Sequence, residues 1–345
     1  MMKEKNLRHL KRYSRQMLFS GIGPEGQERL SMSRVTLIGC GGLGSVIATS
    51  LVRAGVGKIK IVDRDFVEEE NLLHQILYDE EDARKHLPKA TAARRKLLRM
   101  NSSASLEAVV TDVHYGNIEE IVAGSHVVMD GTDNFETRYL MNDACVKGNI
   151  PWIYGAVAGS RGMCTTIVPG VTPCLRCIFP QIPPPEHLHT CDTSGVLLSI
   201  VQTVGSLQVS ECFKLLTGRQ TPSGELIYCD VWEGTCVGTK LQRQEDCASC
   251  QKEEYPALKA REGASVTALC GRNTVMITYY EPKGIHLETL AKKLEPAGRT
   301  EVSPDMIMFH VDTYHLVIFP DGRVIVKGTE DPNVARALYS KYIGN

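Results

Sequence analysis

The sequence predicts an α/β fold, a Rossmann-like and mostly parallel sheet extended by antiparallel strands, with a small α+β domain at its C-terminal end. Three observations carry this reading. Short β-branched runs alternate with amphipathic helical stretches from Arg34 onward, a glycine-rich turn sits inside the first such unit, and the pattern changes after Tyr154 and again after Cys250.

Residues 35–38 read as a strand, 45–54 as a helix and 58–62 as a strand, which together make a βαβ unit. A second set follows, with 126–129 as a strand, 136–147 as a helix and 152–154 as a strand. Parallel strands joined by helices place ligands at strand ends. Residues 165–168 and 226–230 are strand-like around a long helix over 199–217, and there the sheet is expected to gain antiparallel members. Residues 180–194 hold several prolines without periodicity and read as a long loop. Beyond 255 the spacing predicts a separate small domain over 256–345: strands at 275–280, 306–310, 316–319 and 324–327, and helices at 287–294 and 332–342. Residues 1–255 form the large domain on this reading. The small one carries no catalytic motif and is expected to dock a partner or the large domain.

Composition narrows the function. In 345 residues, 39 basic side chains nearly cancel 40 acidic ones, so no overall charge draws the chain to nucleic acid or an anionic membrane. The basic start, Met1 to Gln16, lacks a signal peptide's apolar stretch and no run reaches membrane-spanning length, which predicts a cytoplasmic protein. Twelve cysteines in such a chain point to metal ligands and free thiols rather than a disulfide scaffold.

Gly39-Cys40-Gly41-Gly42-Leu43-Gly44 lies between a strand and a helix, where bare backbone and a helix N-terminus favour phosphate. Asp63 ends the next strand, where a carboxylate accepts from ribose hydroxyls. These two features suit NAD as well as ATP. Lys89 at a helix start, Arg15 and Gln16 upstream, and Asp133 after a strand ending at Asp130 tip the balance, because a triphosphate needs cations and a carboxylate for Mg²⁺. An NAD-dependent oxidoreductase would use none of them. Each has an ordinary reading too: a packing glycine, a capping aspartate, a solvated lysine, a turn residue. Their ordered joint appearance favours the nucleotide site.

With Asn71-Leu72-Leu73-His74-Gln75, Leu87-Pro88-Lys89, Gly131-Thr132-Asp133-Asn134 and the paired cysteines added, residues 10–252 resemble the MoeB/ThiF branch of the ubiquitin-activating-enzyme-like family. The resemblance implies an ATP-using adenylyltransferase acting on the C-terminal glycine of a ubiquitin-like sulfur carrier of the MoaD or ThiS type, ending Gly-Gly, for molybdopterin or thiamine biosynthesis. It implies that Gly39, Gly41, Gly42, Leu43, Gly44 and Asp63 hold the nucleotide with Asn71. Gln75 and Lys89 engage phosphates, and Asp133 positions Mg²⁺ and is central to adenylylation. Arg15 matches an arginine that similar homodimers insert into the partner's site. The family has Arg where this chain has His74, so a phosphate contact there would depend on pH. Relatives acting on a peptide in natural-product maturation provide an alternative substrate class.

Cys174-x-x-Cys177 and Cys247-x-x-Cys250 supply the four thiolates of a closed, structural Zn²⁺ site that ties distant segments together. A redox pair, or a zinc scaffold without catalysis, is the rival reading. Cys191, at the end of the proline-rich loop before a helix, is a candidate nucleophile with an inert thiol as the rival reading; the resemblance implies that the matching cysteine can link covalently to the carrier in ThiF-like members and is dispensable in MoeB-like ones.

Overall fold

In the computed structural model, which describes residues 11–181, 194–218, 224–259, 264–269, 273–279 and 284–343, β1 (Arg34–Ile38) runs through the centre of an eight-stranded sheet. After its first residue it is buried throughout, as a strand covered on both faces must be. Beside it lie β2 (Lys58–Asp63), β3 (Ser105–Val110), β4 (Val127–Asp130) and β5 (Trp152–Ala158), all parallel. β6 (Arg161–Ile167), β7 (Glu225–Asp230) and β8 (Thr235–Lys240) extend the sheet antiparallel, in the order β3-β2-β1-β4-β5-β6-β7-β8.

That order reverses between β1 and β4, because one connection from β1 leads to β2 and the next returns to the other side. A crevice opens at such a reversal outside the carboxyl ends of the strands. Helix Gly42–Ala54 follows β1, with Leu43, Val46, Ile47, Leu51 and Val52 against the sheet, and Gly55 at φ 81° ends it in the left-handed conformation. Helix Leu198–Thr217 packs on it and on β5 and β6. Helix Phe135–Lys147 differs, because Arg138, Asn142 and Asp143 are buried among its apolar residues. Buried polar groups of this kind persist only with partners.

The chain divides into two compact units, Met1–Lys259 and Ala260–Asn345. The second is an antiparallel six-stranded sheet of β9 (Ala264–Leu269), β10 (Thr274–Tyr279), β11 (Arg299–Val302), β12 (Ile307–Val311), β13 (Tyr314–Ile318) and β14 (Val324–Lys327), ordered β11-β12-β13-β14-β10-β9. Helices Leu287–Leu294 and Pro332–Tyr342 close its core through Leu290, Leu294 and Tyr339 onto Val275, Phe309, Leu316 and Val326. No helix among the described residues is long and apolar enough to cross a membrane.

Candidate active site

The crevice is lined by two backbone turns in close contact. Gly39 has φ 84°, and a β-carbon there would stand 2.5 Å from the Gly131 carbonyl oxygen; one on Gly44 would stand 2.1 Å from the Gly39 oxygen. Gly131, after β4, is equally constrained, since its β-carbon would meet the Gly39 oxygen at 2.3 Å. Three glycines therefore lock the loop after β1 to the turn after β4, and Gly131 had no local signal beyond its motif. Gly131→Ala is expected to cost about 1–3 kcal/mol through a forced backbone shift, read as a lower melting temperature together with weaker nucleotide binding in a titration.

Asp63, 8 % exposed at the end of β2, holds the glycine loop from the other side. Its Oδ2 accepts from the Cys40 amide at 2.5 Å and its Oδ1 from the Asp65 amide at 2.7 Å. Burial pushes this carboxyl up, while Lys89 pulls it back. Lys89, 4 % exposed, lies 3.5 Å from Asp65 at its Nζ and donates its amide to the Asp65 carbonyl at 2.8 Å. The Tyr78 hydroxyl bridges the Cys40 carbonyl at 2.7 Å and the Lys89 carbonyl at 3.2 Å, so the loop and the lysine form one assembly. The Cys40 thiol inside it is pushed up to about 12 by burial and then by Asp63, which leaves it inert.

Asp133 is exposed on the turn between β4 and helix Phe135–Lys147. Its neighbour Asn134 caps that helix, accepting from the Thr137 amide at 2.9 Å. Beneath the turn lies a buried ion pair that sequence reasoning did not single out: Arg138 Nε donates to Asp130 Oδ2 at 2.9 Å, and Nη2 donates to the carbonyls of Thr132 at 2.7 Å and Gly155 at 3.0 Å. Asp130 Oδ1 accepts from the Thr132 amide and hydroxyl at 2.9 and 2.6 Å. The turn presenting Asp133 is thus fixed from below. Arg64 stands nearby; burial works against its charge, but Asp112, then Asp65 and Asp133, hold it protonated.

Asn71 and Gln75 are buried beside the loop, Gln75 Nε2 lying 3.7 Å from where a Gly41 β-carbon would be. Asn71 Oδ1 and Gln75 Oε1 meet no donor among the described residues, although each is inaccessible to water. Orphaned amide oxygens in a glycine cradle fit a bound polar ligand. The half-buried His74 reaches within 3.2 Å of the Gly42 β-carbon position.

One expected residue lies apart from this cluster. Arg15 is exposed on helix Ser14–Leu18, which Gln16 ties to the Ala54 carbonyl at 3.0 Å, at the far end of the 13-residue helix Gly42–Ala54. That helix spans about 20 Å, so Arg15 is removed from its own glycine loop. Cys191 lies outside the described residues.

The four paired cysteines converge. Their sulfurs all lie within 4.8 Å of one another, with Cys174 3.5 Å from Cys247 and Cys177 3.4 Å from Cys250. Tetrahedral Zn–S bonds of about 2.3 Å put sulfurs about 3.8 Å apart, so the set fits that ion. Asp143, fully buried, joins the two segments: it pairs with Arg176 through two bonds of 3.0 and 2.9 Å and accepts from the Ser249 hydroxyl at 2.6 Å and the Ala257 amide at 2.8 Å. This carboxylate, invisible as a site in the sequence, orients both cysteine loops.

The ThiF family matches residues 13–251. The chain is 43 % identical over 336 residues to the sulfur carrier protein ThiS adenylyltransferase of Bacillus subtilis, covering 96 % of this chain and 99 % of that protein. It is 40 % identical to the SAMP-activating enzyme E1 of Haloferax volcanii, over 70 % of this chain and 88 % of that one. A sulfur carrier protein adenylyltransferase of Thermus thermophilus is 37 % identical, over 76 % and 97 %. Among solved structures, E. coli MccB with ATP superposes with a TM-score of 0.61 at 22 % identity, over 72 % of this chain and 80 % of that one, which bears on the fold.

Proposed function

The chain belongs to the ThiF family, and on that premise we propose that it adenylylates the C-terminal glycine carboxylate of a ubiquitin-like sulfur carrier with ATP, releasing pyrophosphate. The observation that carries this is the convergence of the glycine loop, Asp63, Lys89 and the Asp133 turn at one strand-order reversal. The Bacillus subtilis relative, named for ThiS, matches through the second unit too, which supports a ThiS-type carrier.

In this mechanism the bare backbone of Gly39, Gly41, Gly42, Leu43 and Gly44 admits the phosphates to the N-terminus of helix Gly42–Ala54, where the amides point outward. Asp63 is already engaged with the Cys40 and Asp65 amides, so it sets the loop's shape as well as facing the ribose. Lys89 and Gln75 hold phosphate oxygens, and Asn71 offers its orphaned oxygen to a donor of the ligand. Asp133 is the residue that would hold Mg²⁺, which supplies charge neutralisation as the pyrophosphate leaves. The carrier's carboxylate attacks the α-phosphate already ionised, so no general base is required, and catalysis is positioning and charge stabilisation. The cysteine cluster, closed by four thiolates, would hold Zn²⁺ as a structural tie without an open position for water.

The test is ATP–pyrophosphate exchange with a panel of Gly-Gly-ending carriers, followed by intact-mass analysis. Exchange driven by a ThiS-type carrier, with an adenylate added to its C-terminus, is expected. Exchange that proceeds only with short peptides would transfer the reading to the peptide class.

Arg15 serves the partner subunit of a homodimer in this reading, consistent with its distance from its own loop. Mixing Arg15→Ala with Asp133→Ala subunits is then expected to restore exchange, up to about a quarter of wild type if half the dimers are mixed and each has one intact site. Additive inactivity in the mixture would remove Arg15 from the mechanism.

A further inference from the structure

β7 and β8 form the hairpin at the edge of the large sheet, and every residue of β8 is exposed. Their register sets Cys229 directly opposite Cys236. Opposed residues on antiparallel strands have Cα atoms about 4.5–5.5 Å apart, inside the roughly 4.4–6.8 Å span a disulfide bridges. The two thiols are free and hydrogen-bonded to each other.

The turn between them is held in place. Asp230 accepts from the amides of Trp232 at 3.0 Å and Glu233 at 3.3 Å, and is itself held by Ser160 at 2.9 Å and Arg161 at 3.0 Å. Accessibility divides the pair: Cys229 is 3 % exposed, whereas Cys236 is exposed. Cys40, Cys145, Cys164 and Cys212 are wholly buried, and the remaining described cysteines belong to the four-sulfur cluster. Among the described cysteines, an oxidant therefore meets Cys236 first.

We propose that Cys229 and Cys236 form a reversible thiol–disulfide site whose oxidant is a hydroperoxide. The Cys236 thiolate attacks one peroxide oxygen; an S–O bond forms, the O–O bond breaks, and the sulfur becomes a sulfenic acid as the other oxygen leaves and is protonated. The Cys229 sulfur then attacks the Cys236 sulfur; the S–S bond forms, the S–O bond breaks, and the Cys229 proton departs with the hydroxide as water. Two thiols give up two electrons and two protons, and the peroxide is reduced to water and an alcohol, or to two waters. Burial, and then the bond to Cys236, pushes the Cys229 thiol up to about 12, which suits it to resolving rather than to first attack. A dithiol reductant reverses the closure.

No Lys or Arg lies between the two cysteines, so both fall in one tryptic peptide. After the full chain is exposed to hydrogen peroxide and its remaining thiols are alkylated, that peptide is expected lighter by two hydrogens than the unalkylated form, with neither cysteine alkylated, and dithiothreitol restores both thiols. In Cys229→Ser, Cys236 is expected to stop at the sulfenic acid and take up dimedone several-fold more than wild type; Cys236→Ser, a change at an exposed position, abolishes both signals. Two alkylatable thiols in wild type after peroxide has modified other cysteines, or equal dimedone labelling in wild type and Cys229→Ser, would overturn the proposal.

Discussion

Asp133→Ala is expected to lower carrier-dependent ATP–pyrophosphate exchange by about 10²–10³-fold, the loss typical of deleting one preorganised charge-stabilising group, while the protein stays folded. The reason lies in the turn's construction. Asp133 is exposed and its side chain accepts a 3.4 Å bond from Asn134, so its removal should change stability by about 0.5 kcal/mol or less. Asp130, three residues earlier, behaves oppositely: its loss would leave Arg138 buried and unpaired, at about 3–5 kcal/mol. Thermal unfolding and exchange measured together on the two variants separate chemistry from folding. Exchange within a few-fold of wild type in Asp133→Ala, with melting unchanged, would remove this residue from the mechanism.

Cys247→Ser is expected to lose stoichiometric zinc and lower the melting temperature by on the order of 10 °C, several kcal/mol at about 2–4 °C per kcal/mol. The three remaining thiols would crowd within one cluster without the charge that the metal supplies, and the Ser249 and Ala257 bonds to Asp143 would lose the anchor that holds residues 247–257 in place. Metal analysis and circular dichroism melting check this. A variant that keeps one zinc per chain, or melts as wild type does, would make the cluster a thiol site rather than a metal centre. Chelation of the wild-type protein should reproduce the same drop.

What the sequence disclosed of the fold follows a physical line. Every strand flanked on both sides within a sheet was legible as an apolar or alternating run, from β1 to β14. The four strands not read from the sequence, β3, β8, β9 and β11, are the edges of the two sheets. β8 is exposed at all six positions and carries Gly238, so it has no covered face to write a period into its sequence, and β3 only half-buries Leu106, Ala108 and Val110 against the core, which leaves its period weak. The site divides in the same way. Gly39–Gly44, Asp63, Lys89 and Asp133 announce themselves by spacing, because their backbone positions are dictated by strand ends. Asp130, Arg138 and Asp143 do not: the first two lie eight positions apart and meet only because a strand turns into a helix between them, and Asp143 finds Ser249 and Ala257 106 and 114 positions downstream, and no periodicity records such partners.

Asp143 also sets an order of events during synthesis. The Ser249 and Ala257 groups that complete its bonding are encoded 106 and 114 positions downstream. At about 5–20 residues per second, the ribosome delivers them roughly 5–20 s after the aspartate itself. Until then helix Phe135–Lys147 carries a carboxylate with its pocket half built, and the parallel half of the sheet can pair while the cysteine-bearing end stays open. The last segment of the first unit to emerge is thus the one that seals it, so a nascent chain arrested before residue 247 is expected to remain protease-sensitive around that helix.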